Sequence, residues 1–414
     1  MAEAHPPNPV GADGTRIPSR GAARPILSPR GAALIDGNHH LAPALNETLQ
    51  HIRQLAGDDE SIMPGEEMTP VRLAEDMESL LKREAMIGEL IAGTADHRQL
   101  SHIVATLPLS GRLGIRLAVA ARDRTELYLH SLRVACCAGV LAQRLHLARH
   151  EVAEAVAAGL FHDLGLLHVD PALLQAGLPL DPRQRHYLDV HPLTGYLMLE
   201  SESAWHPVVS TAVMEHHERM DGSGYPRGLS GSRLGELGQL LAVAELVASL
   251  LGPDPAALTW LRLRVVLRLN AEKLNRELVH CMLAAIPRNE VPQAGAADLG
   301  GAIETLVCMA VAFQSWNAVR TAIPAAPLTE FIGQRMDHLG RNLAEAGIDL
   351  DFWQEIDADI EADILSLHEI CAAAREGLRQ LLDIAAETRR RWTRMLPVPP
   401  EAAAWVEDIE ALSR

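Results

Sequence analysis

Between His162 and Pro226 the chain sets out His162-Asp163, His191-Pro192, His216-His217 and the hexapeptide Asp221-Gly222-Ser223-Gly224-Tyr225-Pro226. Imidazole nitrogens and carboxylate oxygens together suit iron, manganese or zinc, whereas a magnesium or calcium site draws nearly all its donors from oxygen. The span therefore reads as a hydrolytic metal centre with a turn beside it. Each piece is weak alone. A His-Asp dipeptide is expected about once by chance in a chain with this His and Asp content. His39-His40 shows that paired histidines occur here with no chemistry attached. Asp and Gly dominate turns for conformational reasons, and His191 alone reads as a capping or exposed histidine. The order of the pieces carries the signal, with the hexapeptide three residues past His-His.

Helical periodicity supplies the elements that position these groups. From Asp123 it runs through Leu127, His130, Val134 and Ala138. Glu126 and His130, four apart, share a face, which by itself describes an ordinary surface pair. A helix from Glu151 to Phe161 delivers His162-Asp163 at its end, where Gly165 can break it. Asp189-Val190-His191-Pro192 reads as a helix start, with proline tolerated in the first turn. A short helix from Val208 to Glu215 ends at His216-His217. The run Leu237 to Leu250 is a buried-looking helix with one charge after Leu237, Glu245. An acid in such a stretch is costly unless paired or on a metal.

These motifs, in this order, resemble the HD-GYP family, a branch of the HD phosphohydrolases that hydrolyses cyclic di-GMP. The resemblance covers roughly residues 115 to 288. It implies an all-α fold and a site with His162 and Asp163 at the catalytic centre. One metal would take His130, His162, Asp163 and Glu245; the other would take Asp163, His191, His216 and His217, with Asp163 bridging. Some members add a Glu one turn before the first His for a third metal, and Glu126 stands there. The implied cofactors are two or three divalent transition metals, iron or manganese. Asp221, Gly222, Gly224, Tyr225 and Pro226 would shape the wall on which the nucleotide lies.

The chain departs from the family pattern at three points. Four residues after the His of His-Asp the family usually has a phosphate-contacting Lys; here stands Leu166. Only Lys82 and Lys273 are lysines in the whole chain, so drift from Lys would have left Arg, and Leu marks a lost charge. The last ligand is usually Asp and here is Glu245, one methylene longer. The family's Arg- and Tyr-containing phosphate-binding stretch gives way to Leu251-Gly252-Pro253-Asp254-Pro255 and a helix bearing Arg262 and Arg264. Metal binding looks preserved and substrate binding weakened.

Composition bounds what surrounds the site. A length of 414 residues allows two or three domains, at roughly 150 residues each. Aromatics at 3% are scarce, so Leu, Ala, Val and Ile must fill the core, which favours helices. A net charge of -17 argues against nucleic acid or an anionic membrane as main partner. The five Cys form no CxxC pair, as expected of reduced thiols in the cytoplasm. No uninterrupted apolar run approaches a membrane span of about 18 residues.

The expected organisation is a disordered tail over 1–60, a helical segment over 61–114, an HD-GYP-like domain over 115–288 and a helical extension over 289–414. One amphipathic helix is expected over 68–93, a second run from Gln99 into Leu117, and a short helix from Leu306 to Val319. Positions Ile360, Ile364, Leu367, Cys371, Ala374, Leu378, Leu381, Ala385, Thr388 and Trp392 alternate steps of four and three. Either they pair two chains as a homodimer seam or they belong to a long helix packed on its own chain. Arg389-Arg390-Arg391 reads as a solvated helix C-terminus, favourable for the dipole. The leading function is a metal-dependent phosphodiesterase for cyclic di-GMP with reduced activity. The rivals are a binding or scaffold protein with signalling partners, and a phosphohydrolase of another nucleotide.

Overall fold

In the computed structural model, residues 26–27, 33–35 and 67–412 are described, apart from 93–96, 110, 175–181, 201, 203, 253–258, 288–298, 349, 351–363 and 393–398. Two compact units emerge, residues 1–57 and 58–414. In the first, the described residues are two short antiparallel strands, Ile26–Leu27 and Ala33–Ile35. The rest of the tail expected to be disordered lies outside the described residues, as does His39-His40. The second unit is all-α.

The site is carried by a helical layer that begins before it in sequence. Thr69 caps α1 (Pro70–Arg83) by accepting from the Arg72 amide, with Pro70 in the first turn. The single helix expected over 68–93 is in fact two, because Glu84 leaves helical geometry and α2 (Ala85–Ala92) starts after it. The reason is electrostatic. Arg133 Nε and Nη2 donate to the buried Glu84 carboxylate at 2.7 and 2.9 Å, and such a charge needs its partner away from water. The run expected from Gln99 is likewise two helices, α3 (His97–Ala105) and α4 (Gly111–Asp123), with Pro108 between them.

The site helices are α5 (Thr125–Arg144), α6 (Arg149–Phe161), α8 (His191–Glu200), α9 (Pro207–Glu215) and α10 (Glu236–Leu250); α7 (Pro182–Asp189) leads into α8. α5 is buried along most of its length and α6 packs on it. A first hydrophobic core runs from Met68 to Ile286, so α1 to α4 share it with the site helices. After α11 (Thr259–Leu269) and α12 (Arg276–Ala285), a second core takes in Val265, Leu269 and residues out to Ile409.

That second core is built by α13 (Leu299–Ala322), α14 (Pro327–Glu345), α15 (Ile364–Arg391) and α16 (Pro400–Ala411). α15 packs on α11, α13, α14 and α16 of the same chain. Cys371, Ala372, Ala373, Ala374, Leu381, Ile384 and Ala385 are all buried, a band wider than a two-position seam. The packed-helix alternative is therefore what the fold has; Trp353 and Ile360 lie outside the described residues. α13 is also longer than the expected Leu306–Val319. Its Gly300–Ala322 stretch is, among the described residues, the one helix long and apolar enough to cross a membrane. Glu304, Gln314, Asn317 and Arg320 interrupt it, so it contains no uninterrupted apolar run of spanning length. One face packs into the second core, where Trp405 Nε1 donates to Ala312 O at 3.1 Å.

Candidate metal centre

Two groups of donor atoms converge where the site helices meet. Asp163, His191, His216 and His217 form one, and His130, His162 and Glu245 the other, each with its ligand atoms within 4.8 Å of one another. Asp163 stands between them. Its Oδ2 lies 3.2 Å from His162 Nε2 in the second group, and its Oδ1 lies 3.1 Å from His191 Nε2 and 3.8 Å from His216 Nε2 in the first. Glu245 reaches from α10, with Oε2 at 3.0 Å from His130 Nε2 and 3.1 Å from His162 Nε2. Its extra methylene does not take it out of reach of the cluster. Glu126, exposed on α5, belongs to neither group.

Backbone carbonyls fix how three of the rings face. Nδ1 of His162 lies 2.8 Å from Gly159 O, Nδ1 of His191 2.6 Å from Leu188 O, and Nδ1 of His216 2.6 Å from Val213 O. A carbonyl only accepts, so each Nδ1 carries the proton and each Nε2 lone pair turns inward. That is the orientation a metal-ligating imidazole takes from its outer partner.

The charges also call for a cation. Burial works to raise Asp163, yet the neighbouring imidazoles of His162 and His191 hold it well below the carboxylate range. Burial opposes ionisation of Glu245 too, and His130 and His162 outweigh it. Burial, with the neighbouring imidazoles of His162 and His191, pushes His216 down to about 3 and keeps its ring neutral. His162 Nε2 and Asp163 Oδ1 are buried without any hydrogen-bond partner. Ionised carboxylates and imidazole nitrogens converging at contact distance, with His162 Nε2 and Asp163 Oδ1 left unpartnered, fit divalent metal ions.

Two glycines let the elements come this close. A Cβ on Gly165 would lie 2.1 Å from His191 O, so the turn after His-Asp abuts the start of α8 only because the side chain is missing. A Cβ on Gly224 would lie 2.4 Å from His217 O, which presses the Asp-Gly-Ser-Gly-Tyr-Pro loop onto the His216-His217 corner. Tyr225 then stacks on His217, ring centroids 4.7 Å apart. Leu166, where the family has its Lys, is 9% exposed and offers no charge. Arg262 is exposed on α11, and Arg264 donates to Pro287 O.

Sequence reasoning missed the residues that hold the loop. Arg227 donates to buried Glu215, whose other oxygen accepts from the Gly235 amide at 2.8 Å. Glu218 accepts from the amides of Arg227 and Leu229. Both acids flank His216-His217, and that was the available signal. From α14, Arg335 donates through Nη1 to Asp221 Oδ2 at 2.6 Å and through Nη2 to Asp221 O at 3.1 Å. No local pattern points to a partner 114 residues away. The reading of Arg389-Arg390-Arg391 as solvated needs correction at Arg390, which is half-buried over the Tyr225 ring, while Arg389 is exposed and pairs with Glu410.

The helical fold and this histidine-carboxylate cluster define the class of domain. Residues 112–258 match the HD domain family. Over 134 residues the chain is 34% identical to a cyclic di-GMP phosphodiesterase of Pseudomonas aeruginosa, covering 32% of this chain and 32% of that protein. Over 130 residues it is 34% identical to the cyclic di-GMP phosphodiesterase response regulator RpfG of Xanthomonas campestris, covering 31% and 34%. It is 29% identical over 126 residues to 3'3'-cGAMP-specific phosphodiesterase 3 of Vibrio cholerae, covering 30% and 27%. The chain thus spans about a third of the length of these curated relatives. Residues 112–258 thus form an HD domain, and the same span carries the Asp-Gly-Ser-Gly-Tyr-Pro loop.

Proposed function

We propose that the chain is a metal-dependent phosphodiesterase that hydrolyses cyclic di-GMP, slowly. The observation that carries this reading is the pair of donor groups with one Asp163 oxygen turned toward each. His130, His162, Asp163 and Glu245 would hold one ion, and Asp163, His191, His216 and His217 the other; Glu126 would serve a third. Two ions so held would lower the pKa of a shared water and neutralise charge on the phosphodiester. The mixed nitrogen and oxygen donors suit a first-row transition metal, and the HD-GYP resemblance points to iron or manganese. His162 and Asp163 keep the cluster aligned from the end of α6 and the turn that follows. Tyr225, stacked on His217, would border the nucleotide, and Gly222, Gly224 and Pro226 would set the loop's path. The cyclic di-GMP phosphodiesterases among the relatives support this substrate.

Leu166 favours a second reading, a binding or scaffold protein that keeps its metals and signals through protein partners. The cyclic GMP-AMP enzyme among the relatives supports a third, a different nucleotide. We place the protein in the cytoplasm, with residues 115–288 as the catalytic domain, 61–114 as a helical segment beside it and 289–414 as an extension. A homodimer through α15 is not part of this proposal, because that seam is filled from within the chain. One assay separates the readings: metal content and release of linear dinucleotide and GMP, measured on the same iron- or manganese-loaded sample. Full metal occupancy without cleavage of cyclic di-GMP would remove the phosphodiesterase reading.

A further inference from the structure

Near the end of α15 the Arg390 guanidinium lies over the ring of Tyr225, 5.4 Å from its centroid. Tyr225 stacks on His217, a donor of the Asp163 group. A cation from the C-terminal extension thus stands one aromatic ring away from the metal-ligating cluster. It is half-buried, and no carboxylate among the described residues pairs with it. A guanidinium drawn partly out of water without a counter-ion costs free energy that a ring face offsets only in part. Its place is fixed, because Arg335 on α14 grips Asp221 in the same loop and also contacts Glu387 one turn before Arg390 on α15.

The surroundings say what such a cation is for. The chain carries a net charge of -17, so a dianionic ligand needs local positive charge. Leu166 supplies none, Arg264 is spent on Pro287 O, and Arg219 Nη1 is spent on the carbonyls of His216 and Glu218. A phosphate at the donor groups would leave Arg390 beyond direct contact, with the Tyr225 ring between. A cyclic dinucleotide carries a second phosphodiester. We propose that Arg390 binds that second phosphate, the one not being cut, so that the C-terminal extension completes the substrate site. This rests on the phosphodiesterase reading above. Arginine suits the role because its planar fork matches two phosphate oxygens.

The test uses the full chain loaded with manganese, as wild type, Arg390→Met, Arg390→Ala and Arg390→Lys. Binding of a non-hydrolysable bis-phosphorothioate analogue of cyclic di-GMP is measured by calorimetry. Turnover is measured on cyclic di-GMP and on bis(p-nitrophenyl) phosphate, which has one phosphate and cannot reach Arg390. The Met and Ala variants should bind the analogue roughly 10- to 100-fold more weakly. They should also show a raised KM for cyclic di-GMP, with metal content and bis(p-nitrophenyl) phosphate turnover unchanged; Lys should recover part of the binding. Wild-type affinity in Arg390→Met overturns the proposal, and so does an equal loss on both substrates, which marks a structural role. If the wild type cleaves neither substrate, the phosphodiesterase reading fails separately, while the binding measurement still decides Arg390.

Discussion

Nε2 of His191 lies 3.2 Å from Nε2 of His216, and each ring commits its Nδ1 proton to a backbone carbonyl. The His216 Nε2 lone pair is thus turned toward the His191 ring in a buried site. Burial and the neighbouring imidazoles push His216 down to about 3, so its ring is neutral at neutral pH. A cation bound by both nitrogens resolves the contact at neutral pH, and Asp163 Oδ1 at 3.1 Å from His191 Nε2 supplies the compensating charge.

Metal content checks this directly. Purified protein should carry at least two transition-metal ions per chain, and His216→Ala with His217→Ala should remove at least one. Because ions that bind only the folded state stabilise it, a chelator should also lower the Tm of the wild type more than that of the double variant. Elemental analysis showing the same stoichiometry in both proteins would sink the ligand assignment.

The Arg335–Asp221 pair should show itself as a pH-dependent contribution to stability. Burial pushes the Asp221 carboxyl up, but Arg335 and Ser223 outweigh it and hold it below its ordinary value of 3.8. A depressed carboxylate stabilises the fold above its unfolded pKa and loses that contribution as pH falls through the folded value. Arg335→Ala leaves a largely buried charge unpaired and should cost about 3 kcal/mol at pH 7. Asp221→Asn should therefore lower Tm at pH 7, and the gap to wild type should narrow as pH drops below about 4. A gap that stays constant with pH would show that the pair contributes nothing through its charge.

Most of the candidate metal centre was legible because the groups that converge there sit on local motifs. His162-Asp163 and His216-His217 each end a helix whose periodicity is plain, and Glu245 announces itself as a lone acid in an apolar run. The hexapeptide was legible as a turn, but not what holds it, since Arg335 and Arg390 come from helices far along the chain. Glu84 shows the same limit in the fold, where the 68–93 pattern is continuous and only the partner Arg133 explains the break. The α15 pattern had two physical solutions at one periodicity. Burial of Ala372 and Ala373, outside the four-three repeat, decides for packing within the chain.

That packing gives a prediction about assembly. Leu381 is fully buried in the second core, so Leu381→Ala should cost about 2–5 kcal/mol by leaving a cavity. If the seam is internal, the loss is independent of protein concentration and the subunit number by light scattering is unchanged. A Tm that rises with wild-type concentration, together with fewer subunits in the variant, would restore the paired-chain alternative.

The last prediction concerns Leu166, which stands where the HD-GYP resemblance implies a phosphate-contacting Lys. One phosphate-directed cation in a site with little water is worth about 2–4 kcal/mol of transition-state stabilisation, by analogy with a single oxyanion donor, or roughly 10²- to 10³-fold in rate. Leu166→Lys should therefore raise kcat/KM for cyclic di-GMP. Leu166 is nearly buried, so the new ammonium must extend along apolar surface toward the cluster, as lysine stems do. Glu245→Asp should add to the gain, and the two need not be additive because both act on one site. Leu166→Lys should also accelerate bis(p-nitrophenyl) phosphate, whereas Arg390 should affect the dinucleotide alone. If neither substitution at Leu166 or Glu245 yields cleavage of cyclic di-GMP at full metal occupancy, the phosphodiesterase reading fails and the binding or scaffold reading replaces it.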